Sequence, residues 1–173
     1  MKETERKEKL TPRRMTELAL LTALSLIIFV IELQLPTLAP IPGMKLGLAN
    51  IITVYAVYRF SAGEVSMLLL ARILLSAMFT GNVTALIYSL SGGALCLCGM
   101  LLLRHLIPLR FIPLCSVFGA VFHNIGQVAA AVAVMGTWTV IAYLPFLLVS
   151  GCIAGAFTGL CAGLVLRRLE KKR

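Results

Sequence analysis

Apolar stretches recur along this chain at lengths suited to crossing a bilayer, with the polar positions gathered into the short breaks between them. They cover roughly residues 15 to 33, 47 to 60, 62 to 80, 83 to 103, 112 to 135 and 140 to 166. About 20 apolar residues in helical form span a hydrocarbon core, so the pattern predicts six transmembrane helices. The second run is short, Met44 to Phe60 at most, and follows the proline-rich stretch from Leu35 to Gly43. Each proline lacks an amide donor and turns its predecessor away from helix, so this stretch reads as an ordered loop at the interface, long enough to act as a lid. Arg13 and Arg14 precede the first run as in a signal peptide. That run lacks a small-residue cleavage site and reads as a retained first helix.

Composition agrees with this pattern. Hydrophobic residues make up 60% of the 173 positions and charged residues 13%, and the mean hydropathy is +0.97. Soluble domains are about half apolar and a quarter charged. An all-α membrane bundle over 15–167 is expected, flanked by basic tails at 1–14 and 168–173, with no room for a soluble catalytic domain. Lys2, Arg6, Lys7, Lys9, Arg13 and Arg14 precede the first run, Arg59, Arg104 and Arg110 sit at the second and fourth turns, and Arg167, Arg168, Lys171, Lys172 and Arg173 close the chain. Against these, Lys45 alone falls on the other side. By the positive-inside rule both termini are expected in the cytoplasm. The net charge of +9 is then accounted for by an anionic lipid surface, with no nucleic acid partner.

A few strongly polar side chains interrupt the apolar runs: Asn50, Arg72, His123, Asn124 and Gln127. An uncompensated arginine in hydrocarbon costs at least roughly 2.5 kcal/mol, so Arg72 is expected to face protein, water or a ligand. The alternating topology puts Arg72 about 15 Å from the cytoplasmic end at 1.5 Å per residue. It places His123, Asn124 and Gln127 from mid-depth outward, and Lys45 and Asn50 near the outer end of the second run. His123 and Gln127 are four apart and share a helix face, and Asn82, Thr84 and Tyr88 lie at a similar level. The coincidence in depth suggests an outward pocket, with Arg72, His123, Asn124 and Gln127 as main solute contacts and Lys45 and Asn50 behind them. Arg72 would supply charge, and the amides and imidazole would orient the solute. Glu32, at the end of the first run, either pairs with Arg72 or leaves the pocket net positive, suited to an anionic or electron-rich solute. The alternative is that Asn, Gln and His staple helices together at roughly 0.6 kcal/mol each.

Other features read structurally. Cys96, Cys98, Cys115, Cys152 and Cys161 all fall in apolar runs and are expected as buried small hydrophobes, with no metal site. Glu64 suits the N-terminus of the third helix. Trp138, Tyr143, Tyr55 and Tyr58 read as interfacial anchors, with Trp138 also placed to close over a ligand. Gly151, Gly155, Gly159 and Gly163 form a stripe on the sixth run, and Ala19 and Ala23 a weaker one on the first. Such stripes let helices approach closely. They are expected either to pack the sixth helix on the first or to dock a membrane partner.

Three segments carry a family resemblance: Pro42–Asn50, Ser89–Gly93 and Gly119–Gln127. With them, nearly the whole chain after the basic tail resembles the Gx transporter family, also labelled heptaprenyl diphosphate synthase component I. In size, six-span topology and its Ala-x-x-x-Ala stripe the chain is also similar to the S components of energy-coupling factor (ECF) transporters. That similarity implies a substrate-binding subunit that takes a vitamin-like solute from outside beneath a lid between helices one and two. It would then dock through Ala19 and Ala23 on a membrane coupling subunit driven by cytoplasmic ATPases. The chain has no Walker motif, so ATP would be used by the partner, and no cofactor of its own is implied. Prenyl chain elongation needs acidic clusters that hold magnesium against a diphosphate. All seven acidic residues here are Glu, none clustered in a membrane run, which argues against an enzyme. Two other readings stand beside the importer: a non-catalytic accessory subunit of heptaprenyl diphosphate or menaquinone synthesis, and a stand-alone carrier, for which paired helix breaks in two halves are not evident.

Overall fold

A computed structural model describes residues 11–34 and 47–170. Among them are six α-helices: α1 (Pro12–Gln34), α2 (Asn50–Arg59), α3 (Ala62–Thr80), α4 (Val83–Leu103), α5 (Ile112–Met135) and α6 (Leu144–Glu170). Short 3-10 segments, Leu109–Phe111 and Trp138–Tyr143, lead into α5 and α6. All helices but α2 are long and apolar enough to cross a membrane. The protein is thus an all-α, multi-pass membrane bundle.

The second helix is shorter than the others. At 10 residues and 1.5 Å per residue α2 is roughly 15 Å long, half a hydrocarbon core. It starts after Gly47, whose φ of 71° is a left-handed conformation that ends regular helix for most residues. The proline-rich stretch proposed as a lid, and Lys45 with it, lie outside the described residues. What α2 lacks in length it makes up in burial: Thr53, Val54, Tyr55, Ala56 and Val57 are all buried.

Local sequence sets the other helix ends. At the start of α3, Glu64 Oε2 accepts from the amide and the hydroxyl of Ser61, both at 2.8 Å, satisfying a donor that a helix start leaves free. The Arg14 guanidinium also reaches Glu64, with Nη2 donating to Oε2 at 3.0 Å and Nε 2.6 Å from Oε1. This ties the start of α1 to the start of α3. Gly81 and Gly136, at φ 62° and 64°, end α3 and α5 in the αL caps that glycine favours. Asn82 caps α4 by accepting from the Ala85 amide at 3.0 Å.

The basic residues mark one end of the bundle. Arg104, just past α4, donates to the carbonyls of Val57 and Phe60 at 3.0 and 3.4 Å, satisfying acceptors that the C-terminus of α2 leaves free. Arg167 on α6 donates to the Arg110 carbonyl at 3.0 Å. The ends of α2, α4 and α6 and the starts of α1, α3 and α5 therefore lie together, the up-and-down order expected from the charge pattern. Next to this end lies the apolar core, with Val54, Val57, Val65, Leu68, Met100, Ile112, Cys115 and Ala162 almost fully enclosed.

Helix approach follows the glycines, though with a different partner from the one expected. The α6 stripe packs on α5. A Cβ at Gly155 would sit 2.9 Å from Val117 Cα, and one at Gly159 2.6 Å from Pro113 Cα, while Gly151 lies against the Asn124 amide. Helix one is not the neighbour of this stripe, and its glycines are already covered by α5, so Gly151, Gly155 and Gly159 are not free for a docking partner. Ala19 and Ala23 are exposed on the outside of α1. Among the cysteines, Cys96 and Cys115 are buried and Cys152 and Cys161 partly so, whereas Cys98 is exposed. The expectation of five buried thiols is corrected there: its side of α4 faces outward, and an apolar thiol is as compatible with lipid as with protein.

Candidate functional site

Opposite the basic end, the bundle opens into a cavity of about 480 Å³, within the range of small-molecule sites. Every helix contributes to its wall. Phe29 and Glu32 come from α1, Asn50 and Thr53 from α2, Arg72 and Ser76 from α3, Tyr88 from α4, His123, Asn124 and Gln127 from α5, and Ser150 and Gly151 from α6. Of the residues singled out in the sequence, Asn50, Arg72, His123, Asn124 and Gln127 thus share one cavity. Trp138 is 77% exposed in the 3-10 segment, a position suited to an interfacial anchor.

Arg72 is 9% exposed, and its Nη1 donates to Asn50 Oδ1 at 3.2 Å. The Asn50 backbone N–H donates to the Gly47 carbonyl at 2.9 Å. The Gly47 amide donates to Glu32 Oε1 at 2.5 Å. A chain of polar contacts therefore runs from α3 through the first turn of α2 to the end of α1. Of the alternatives foreseen for Glu32, the ion pair with Arg72 is not formed among the described residues; Glu32 lines the cavity as an acidic group beside the guanidinium.

The α5 residues are placed by the small residues of α4. Ser91 Oγ donates to the Gly126 carbonyl at 2.7 Å. A Cβ at Gly126 would meet the Ser91 carbonyl oxygen at 2.7 Å, so the two backbones nearly touch. Gly92 leaves the space in which His123 and Gln127 sit, since a Cβ there would lie 2.7 Å from Gln127 Cγ and 3.1 Å from His123 Cε1. Two of the motif segments, Ser89–Gly93 and Gly119–Gln127, are thus opposite faces of one helix crossing. Asn124 differs from its neighbours: its Nδ2 donates to the Leu147 carbonyl of α6 at 2.6 Å. It acts as the helix staple that was the alternative for such residues, with its oxygen and its second N–H left over.

Sequence reasoning missed Thr53 as a cavity residue, weighed Glu32 only as a partner for Arg72, and gave Tyr88 a supporting place. The hydroxyls of Thr53, 2% exposed, and Tyr88, 7% exposed, have no hydrogen-bond partner among the described residues. A buried polar group left unpaired costs about 1–3 kcal/mol, so both are available to whatever fills the space. Their position on the same helices as Asn50 and Asn82 was readable; that they face inward was not, because a threonine or tyrosine in an apolar run satisfies either environment.

The comparison with curated proteins finds no match, and neither does that with solved structures. A family profile described as heptaprenyl diphosphate synthase component I matches residues 21–165, which takes in all three motif segments and every described cavity residue. With that much of its length matched, the chain belongs to the heptaprenyl diphosphate synthase component I family.

Proposed function

We propose that this protein is the solute-binding membrane subunit of an importer, working like an ECF S component, in a bacterial plasma membrane with both termini in the cytoplasm. The carrying observation is the convergence of Arg72, Asn50, His123 and Gln127 on a single cavity of about 480 Å³, at the end of the bundle away from the basic residues. The solute is small and carries an anionic or electron-rich group, in the manner of a vitamin or a quinone or isoprenoid precursor. Arg72 supplies charge to it, while His123 and Gln127 orient it by hydrogen bonds. Asn50 holds the guanidinium, and Asn124 contributes chiefly by fixing α5 to α6. Lys45 belongs to the same proposed set. Partner ATPases, through a membrane coupling subunit docked on Ala19 and Ala23, supply the energy. The subunit itself performs no chemistry.

The second reading is a non-catalytic accessory subunit of heptaprenyl diphosphate or menaquinone synthesis, favoured by the family description, which names one component of a multi-component synthase. Affinity purification of the full chain from its native membranes separates the two. Recovery of a membrane coupling subunit with its ATPases is the result expected. Recovery of a soluble prenyl diphosphate synthase in their place would establish the second reading. Within the importer reading, Arg72→Leu or His123→Ala abolishes solute binding and leaves folded protein in the membrane; full binding by both variants removes the site assignment.

A further inference from the structure

Among the described residues, two formal charges of opposite sign line the cavity. Glu32 is 7% exposed and Arg72 9%, and both line its wall. They come from different helices, and no ion pair joins them among the described residues. Among the described residues each makes one hydrogen bond, Glu32 Oε1 from the Gly47 amide and Arg72 Nη1 to Asn50 Oδ1. A guanidinium carries five N–H donors and a carboxylate has lone pairs on both oxygens, so most of the hydrogen-bonding capacity of both is unspent.

Removing a charge from water is costly unless partners replace its hydration. Pairing Glu32 with Arg72 directly would be the protein's own means of compensation, and the fold does not adopt it. It directs each group to a separate backbone or amide contact and leaves open volume bordered by both. The other described lining residues supply hydrogen bonds without formal charge, including the unpartnered hydroxyls of Thr53 and Tyr88. A solute bearing acidic groups alone would satisfy Arg72 and be opposed by Glu32. One bearing basic groups alone would meet the reverse. Each buried charge thus selects against the ligand that would suit the other by itself.

Resting on the reading of this cavity as a solute site, we propose that its occupant is amphoteric: one small molecule whose acidic group meets Arg72 and whose basic group meets Glu32. Thr53 and Tyr88 hydrogen-bond the polar atoms between. The volume of about 480 Å³ admits a small molecule of this kind.

The test is native mass spectrometry of the full chain gently extracted from its native membranes, as wild type, Glu32→Gln and Arg72→Gln. The released molecule is identified by fragmentation and then added back as the purified compound. The Gln side chain at 32 retains an oxygen for the Gly47 amide, so the loop contact survives the loss of charge. Thermal unfolding of each variant checks that it is folded. The wild type is expected to release a compound with at least one acidic and one basic group, and each variant to bind it about tenfold more weakly or worse. A compound with acidic groups only, or undiminished binding by Glu32→Gln, overturns the amphoteric assignment and leaves the solute site standing. Should Glu32→Gln not fold, the ionisable groups of the wild-type compound decide alone. An empty wild-type cavity under these conditions overturns both.

Discussion

Arg72 of α3 and Asn50 of α2 are joined by a hydrogen bond from Nη1 to Oδ1 at 3.2 Å, making the short helix the support of the cavity's guanidinium. Removing only the acceptor leaves a buried cation without its side-chain partner, at a cost of about 1–3 kcal/mol. Asn50→Ala is therefore expected to lower the thermal midpoint in detergent by several degrees. Replacing both residues with Leu removes the unsatisfied group as well as the bond. The double variant should be at least as stable as Asn50→Ala, while binding no solute. Additive destabilisation in this cycle would show that the two side chains are uncoupled.

The glycine face of α6 makes a graded prediction. Cβ atoms at Gly155 and Gly159 would lie 2.9 and 2.6 Å from backbone atoms of α5, whereas one at Gly163 would lie 3.8 Å from the nearest atom, Ile112 Cβ. Backbone cannot rotate out of the way. Gly155→Ala and Gly159→Ala should destabilise the isolated protein by about 1–3 kcal/mol, the usual cost of overpacking. Gly163→Ala fits at ordinary contact distance and gains up to about 1 kcal/mol of helix propensity. Thermal unfolding of the three variants tests this order. Equal stability in all three would mean that α5 does not lie where the contacts put it.

How far this was legible from residues alone differs between element ends and element neighbours. The ends of α3, α4 and α5 follow from local chemistry: Ser61 with Glu64, Gly81 with Asn82, and Gly136 after Met135 act within one turn of the helix they bound. The α6 stripe is equally visible as a period of four. Its neighbour is not, because small residues specify that something approaches closely without specifying which helix. Inward and outward faces are blurred for a further reason, since lipid and protein interior are both apolar. Exposed Cys98 and buried Cys96 on α4 therefore read alike. Arg72 was legible because no apolar setting tolerates a bare guanidinium. Glu32 was harder to place, as a carboxyl at a helix end could equally have faced the interface.

At the basic end, Glu64 binds Ser61 and Arg14 at once, linking α1 to α3. Glu64→Ala removes both the cap and the ion pair. A lost cap costs about 1 kcal/mol, and the ion pair adds less because Arg14 is 25% exposed and screened by solvent. Glu64→Gln keeps the acceptor oxygen for Ser61 while discarding the charge. The expected order of stability is wild type, then Gln, then Ala, measured by thermal unfolding at low salt. Raising the salt concentration should narrow the gap between wild type and Gln and leave that between Gln and Ala. A salt response confined to the Gln-to-Ala step would contradict this division.

Ala19 and Ala23 are exposed on the outer face of α1, four residues apart, one turn above another. With the α6 glycines covered by α5, α1 retains the small-residue stripe open to another membrane helix. Lengthening either side chain fills that surface without touching the interior. Ala19→Leu and Ala23→Leu should therefore leave thermal stability within about 0.5 kcal/mol of wild type, as for other surface changes away from special features. Solute binding should also be unaffected, since neither residue lines the cavity. Recovery of the proposed coupling subunit from native membranes is the quantity expected to fall, by about tenfold or more, because close backbone approach is what a small-residue stripe provides. If both variants recover it at the wild-type level, the partner docks elsewhere on the bundle and the outer face of α1 meets only lipid.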